Sequence, residues 1–216
     1  MEDCLWSMQM KKITKHCDNQ YEHQYWQAGL SIVGIDEAGR GPLAGPLSVA
    51  GVVFPIGYEN PDIYDSKALS EKKRDALYEI IQDDALWVEI IEVPVEDIDR
   101  YNILEADRMA MRQIAIDSCA DIVLSDAMKM DVDQTVIDLI KGDQKSISIA
   151  AASILAKVTR DRIMKEYDVL YPQYAFAKNK GYGTKQHLQA IEEYGILPIH
   201  RRSFAPVRYH QTSLFE

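Results

Sequence analysis

The sequence predicts one α/β domain: a central sheet flanked by helices, with further helices added at the C-terminal end. Three observations predict it. Short runs rich in Val, Ile and Leu end repeatedly in Gly, Pro or Asp, as buried strands do. Longer stretches carry apolar residues at helical spacing and alternate with strands in the second half of the chain. A chain of 216 residues with 47% hydrophobic content can also build one substantial core.

Taken in order, residues 1–28 are polar and aperiodic, which predicts a frayed or weakly helical lead-in to a domain spanning 29–216. Residues 30–36 and 47–54 read as strands separated by a Gly/Pro-rich segment too long for a tight hairpin turn. Ser70 is a suitable N-cap for a helix in which Leu77, Ile80 and Ile81 form an apolar stripe. Residues 86–93 form a third strand, stopped by Pro94, and 103–119 an amphipathic helix. Strands are predicted at 121–125 and 135–141, followed by a long helix rich in good helix formers that ends before Pro172. In the helical extension, about 172–210, residues 177–183 read as loop, and Thr184 opens a helix terminated by Gly195.

No apolar run approaches the roughly 18 residues of a membrane span, and no secretory leader is apparent, so a cytoplasmic monomer without membrane contact is expected. Cys4, Cys17 and Cys119 are odd in number and form no CxxC pair, which argues against a disulfide framework or a thiolate zinc site. The net charge of −10 argues against a polyanionic partner until its distribution is considered. Residues 1–156 hold 14 Lys/Arg against 28 Asp/Glu, whereas residues 157–210 hold 10 against 5. A basic C-terminal third can hold nucleic acid while the acidic body stays clear of it.

Three apolar runs deliver acid at their ends: Ile35 into Asp36 and Glu37, Leu124-Ser125 into Asp126, and Ile140-Lys-Gly into Asp143. Strand termini on one edge of a sheet converge, and α/β folds build sites there. Converging carboxylates repel by roughly 4 kcal/mol per pair about 4 Å apart at an effective dielectric near 20. A hard divalent cation taking oxygen ligands, Mg²⁺ or Mn²⁺, is the natural neutraliser. The plain alternative stays open, since Asp after a strand also serves as a turn or capping residue. Asp36 and Glu37 pose a geometric problem too, because neighbours in a strand point to opposite faces. Both serve one site only if the strand bends, or if Glu37 contributes from the edge or through its backbone.

Six segments in this order resemble the ribonuclease HII family: DEAGRGPLAGP at 36–46, DSKALS at 65–70, NILEADRMAM at 102–111, GDQKSISIAAASILAKVTRDR at 142–162, GYGTKQH at 181–187 and HRRSF at 200–204. The resemblance implies a ribonuclease H-like mixed sheet and catalytic, metal-holding roles for Asp36, Glu37, Asp126 and Asp143. It implies an endonuclease that hydrolyses the RNA strand of RNA–DNA hybrids and cuts on the 5′ side of ribonucleotides embedded in duplex DNA. It further implies that Gly39-Arg40-Gly41 works with Tyr182 to recognise the ribonucleotide at an RNA–DNA junction. The stretch DAMKM at 126–130 departs from the Asp-Gly of many members but keeps the acid. Ribonuclease HIII-like proteins differ by lacking the arginine present here as Arg40 and by a large N-terminal domain, whereas fewer than 36 residues precede Asp36. A catalytically silent hybrid binder is a third reading, disfavoured because a pure binder gains nothing from acids placed near phosphates.

Phosphodiester hydrolysis is helped by two divalent ions, which acidify the attacking water and stabilise the leaving 3′-oxygen. Two Mg²⁺ or Mn²⁺ ions at the four acids are therefore expected. Lys67, Ser153, Lys157, Thr184, His187, Arg201 and Ser203 supply charge or donors suited to phosphate. Asp161, between Arg160 and Arg162, is expected in ion pairing rather than in the metal site.

Overall fold

The computed structural model describes residues 16–17 and 19–212. Five strands, β1 (Ile32–Ala38), β2 (Leu47–Val53), β3 (Trp87–Val93), β4 (Ile122–Asp126) and β5 (Thr135–Leu139), form one mixed sheet in the order β3-β2-β1-β4-β5. The first three pair antiparallel, while β4 lies parallel to β1 and β5 parallel to β4. All five match the apolar runs that predict them. Eight helices lie among the described residues: α1 (Gln20–Trp26), α2 (Glu71–Asp84), α3 (Val95–Tyr101), α4 (Ile103–Asp117), α5 (Ile147–Leu170), α6 (Phe176–Asn179), α7 (Lys185–Tyr194) and α8 (Ala205–Thr212).

Strand alternation divides the core into two layers. On one face Ile32, Ala50, Val52, Ile122 and Leu124 pack under α5 and α2. On the other, Val33, Ile35, Val49, Val53 and Val123 pack against Met111 and Ile114 of α4. The close seat of α5 rests on small residues: Ala150, Ala151 and Ala152 are wholly buried, and a Cβ on Gly34 would overlap the backbone of Ser148 and Ile149. A third cluster, with Leu43, Met164, Tyr174, Phe176, Ile191 and Val207, joins α5 to the C-terminal helices.

Besides α3 and α8, for which the sequence sets no expectation, two regions differ from it. Within the lead-in, residues 20–26 are helical and anchored, with Trp26 buried and Glu22 Oε1 accepting from the Ser146 hydroxyl (2.5 Å) and the Ser148 amide (3.1 Å) at the start of α5. Residues 176–179, inside or beside the predicted loop, form the single turn α6, because Phe176 is drawn into the third cluster. Among the described residues no helix is long and apolar enough to cross a membrane.

Candidate active site

Register sets the acids together. Ile35 of β1 is the partner of Ser125 of β4, so Asp36 and Asp126 follow as neighbours on parallel strands about 4.8 Å apart, on the α5 side. The Oδ1 of Asp126 accepts the Gly142 amide at 2.9 Å. That bond docks the 3₁₀ turn Gly142–Gln144 beside β4 and brings Asp143 to the same edge. Asp36 Oδ1 accepts the Glu37 amide at 2.7 Å.

The electrostatics are those of a crowded anionic site. Burial, then the charges of Glu37, Asp126 and Asp143, hold the Asp36 carboxyl well above the usual range. Burial and the charges of Asp65 and Asp126 raise Asp143 to about 6, against the pull of Lys67. Lys67 Nζ stands 3.9 Å from Asp143 on a largely exposed side chain. Burial works against its charge, yet Asp143, Asp36 and Asp65 raise its pKa on balance. Asp65 caps the short 3₁₀ turn that carries Lys67, accepting its amide at 2.8 Å. Sequence reading passed over Asp65; its signal was its place in DSKALS.

Glu37 answers the geometric problem without a bend. β1 stays in register with β2 through Ala38, so Glu37 points to the α4 side. There Arg40 lies 3.6 Å from Glu37 and 3.5 Å from Asp107 of α4. Burial raises Glu37, against Arg40, and one of its buried oxygens has no hydrogen-bond partner. Asp107 is wholly buried, and burial followed by the Glu37 charge raises it to about 8. Among the described residues no three such side chains already stand at metal-ligand spacing. The donor set nevertheless fits a hard divalent cation: it is all carboxylate oxygen, mutually repelling and incompletely hydrogen-bonded.

A second cluster lies beside the acids. Gly39 has φ of 107°, which favours glycine, and a Cβ there would overlap Arg160. A Cβ on Gly41 would meet the Tyr182 ring at 3.4 Å, so the Gly39-Arg40-Gly41 turn and Tyr182 share one surface, on which Tyr182 is about half exposed. Two buried guanidiniums hold it. Arg160 of α5 donates to the carbonyls of Ala44, Pro46 and Lys180. Arg201 donates to those of Gly39, Arg40, Gly45 and Pro46.

The phosphate-binding candidates divide accordingly. Arg201 is wholly buried and committed to carbonyls, so it scaffolds the turn and does not reach a phosphate. His187 is equally buried, its Nδ1 on the Tyr182 carbonyl and its Nε2 on His200. Ser153 is buried against the Ser66 hydroxyl at 2.7 Å, and the Ser203 hydroxyl donates to Asp99 at 2.6 Å. Lys157 pairs with Asp161 at 2.6 Å. Thr184 caps α7 through the His187 amide and is exposed, as is Lys67. Arg160 is the residue sequence reading missed here, because an arginine satisfied by carbonyls looks like any surface arginine in one dimension.

A mixed sheet whose central strand ends place acids together, with helices on both faces, defines a hydrolase of the ribonuclease H class. The ribonuclease HII family model matches residues 33–207. The chain is 54% identical over 193 residues to ribonuclease HII of Listeria monocytogenes, covering 88% of this chain and 74% of that protein. It is 51% identical over 189 residues to that of Lactobacillus acidophilus, covering 87% and 76%. The ribonuclease H2 from Pyrococcus horikoshii superposes with a TM-score of 0.74 at 25% identity, covering 87% of this chain and all of that one. The chain belongs to the ribonuclease HII family and is a metal-dependent endoribonuclease.

Proposed function

We propose that this protein cuts duplex DNA on the 5′ side of an embedded ribonucleotide, as well as the RNA strand of RNA–DNA hybrids, leaving a 3′-hydroxyl and a 5′-phosphate. Asp36, Asp126 and Asp143 would hold two divalent ions, Mg²⁺ or Mn²⁺, with Glu37, whose side chain lies on the α4 side, contributing from the strand edge or through its backbone. When bound, such ions supply acidification of the attacking water and neutralisation of charge on the leaving oxygen. The observation that carries this reading is the convergence of Asp36, Asp126 and Asp143 on one sheet edge, where each raises the cost of charging another.

The protein's own groups supply the rest. Gly41 is exposed, with only the Tyr182 ring near the place a Cβ would take, so a sugar can approach the backbone there closely. A ring offers a sugar a packing face, while backbone groups suit a 2′-hydroxyl that both donates and accepts. Lys67 beside Asp143 offers charge to a phosphate arriving at the acids. The test is duplex DNA with one ribonucleotide, incubated with Mg²⁺ or Mn²⁺ and mapped at nucleotide resolution. A cut on the 5′ side of the ribonucleotide with a 3′-hydroxyl end is expected. Cleavage elsewhere, or of all-DNA duplex equally well, would refute the reading.

A further inference from the structure

The segment His200-Arg201 touches both halves of the surface formed by the glycine turn and Tyr182. Arg201 donates to the Gly39 and Arg40 carbonyls at 2.7 and 3.0 Å. His200 reaches the other half through His187. The Leu197 amide donates to His200 Nδ1 at 2.8 Å, the two Nε2 atoms stand 3.0 Å apart, and His187 Nδ1 lies 2.9 Å from the Tyr182 carbonyl. Both rings are wholly buried, among Tyr174 and Phe176.

Chemistry leaves one proton arrangement for this chain. An amide can only donate, so His200 Nδ1 accepts, and a neutral His200 then carries its proton on Nε2. That proton can go only to His187 Nε2, which places the His187 proton on Nδ1, where a carbonyl oxygen can only accept. Burial keeps both imidazoles neutral, lowering His187 and bringing His200, with the help of its neighbour, to about 4. Every donor in the chain meets an acceptor, so the chain has a direction and ends on the residue whose ring faces Gly41.

We infer that the His200–His187 pair is a positioning relay that fixes the Tyr182 loop against the Gly39-Arg40-Gly41 turn and thereby sets the preference for an RNA–DNA junction. Neither histidine touches substrate. The inference rests on the reading of Tyr182 as the ribonucleotide sensor. It goes further in assigning that specificity to two buried residues behind the sensor, linked through Arg201 to the opposing turn. A loop displaced by about an ångström can lose orientation-dependent rate by up to about 100-fold. Cleavage of a uniform hybrid, which contains no single junction to locate, depends less on that placement.

The relay is tested on the full chain by the ratio of kcat/KM for a single-ribonucleotide duplex to that for a uniform RNA–DNA hybrid. His187→Phe, which keeps the ring volume and removes both nitrogens, is expected to lower the ratio about tenfold. His187→Asn, whose amide nitrogen reaches about where Nδ1 lies, is expected to restore most of it. Tyr182→Ala separates the two ideas. If it leaves the ratio at the wild-type value, the sensor reading fails; if it lowers the ratio while His187→Phe does not, the relay fails. A second arm needs no variant: the imidazole nitrogens of ¹⁵N-histidine-labelled wild-type protein should show the His187 proton on Nδ1 and the His200 proton on Nε2. Either proton on the other nitrogen overturns the relay, however the variants behave.

Discussion

Ile35 of β1 and Ser125 of β4 are partners in a parallel ladder, and this pairing sets Asp36 beside Asp126. Two residues distant in sequence thus share a position one step beyond the last paired row. A shift of either strand by one residue would send its acid to the α4 side of the sheet. Asp126 also docks the turn that carries Asp143.

Replacement of Asp126 by Asn should therefore separate chemistry from fold. The amide keeps an oxygen for the Gly142 amide, so circular dichroism and the unfolding midpoint should stay close to wild type. Cleavage should fall about 10³-fold or more, since a metal ligand's contribution is several kcal/mol and each 1.36 kcal/mol is tenfold. Undiminished turnover would remove Asp126 from the metal site.

The raised carboxyls predict how metal and proton compete. For Asp36 and Asp143 the folded pKa lies above the unfolded value near 3.8, with Asp143 at about 6. The fold therefore binds extra protons in that window, and metal-free protein loses their contribution as pH rises through it. A divalent cation replaces those protons. Saturating Mg²⁺ should raise the unfolding temperature at about pH 8, by the equivalent of about 2.7 kcal/mol at 100 times its dissociation constant. The gain should shrink near pH 5, where Asp143 is mostly protonated. Equal gains at both pH values, by differential scanning fluorimetry, would contradict the assignment, and Asp143→Asn should weaken the effect of pH on the gain.

What could be read from one dimension followed from what is local. Strand positions, the Ser70 and Thr184 caps and the acids at strand ends are written in neighbouring residues, and all five strands and the helices α2, α4, α5 and α7 follow from them. The helices α1, α3 and α8 lack a full apolar stripe and are held by distant contacts; Glu22 meets Ser146 across 124 residues. The site divides in the same way. Asp36, Asp126 and Asp143 announce themselves, whereas Asp107 in a helix and Arg160 beside Asp161 look like solvated charge until the fold buries them. Arg201 and His187 look like phosphate ligands for the same reason, and only tertiary structure shows that backbone carbonyls already occupy them.

Tyr182 supplies the direct test of ribonucleotide sensing. Its ring is about half exposed beside Gly41, and its backbone is held by neighbours, not by the ring itself. Tyr182→Ala should leave stability within about 0.5 kcal/mol, as for surface changes. Cleavage at a single embedded ribonucleotide should fall by about 1–3 kcal/mol of transition-state binding, roughly 5- to 150-fold, if the ring contributes as aromatic stacking platforms do. A wild-type rate on that substrate would end the sensing role.

Arg201→Lys tests whether the glycine turn depends on a buried guanidinium fork. Arg201 donates to four carbonyls at 2.7–3.1 Å, and a lysine ammonium on a flexible stem cannot reproduce that planar geometry. At least one buried carbonyl would lose its donor, at about 1–3 kcal/mol for each group left unsatisfied. Urea unfolding should show a loss of about 3 kcal/mol, equivalent to a fall of roughly 6–12 °C in Tm for a domain of this size. Because the fork grips Gly39 and Arg40 and leaves the acids alone, activity on the single-ribonucleotide duplex should fall further than activity on the hybrid. A lysine variant as stable as wild type, with an unaltered substrate ratio, would show that the turn holds its shape without the fork.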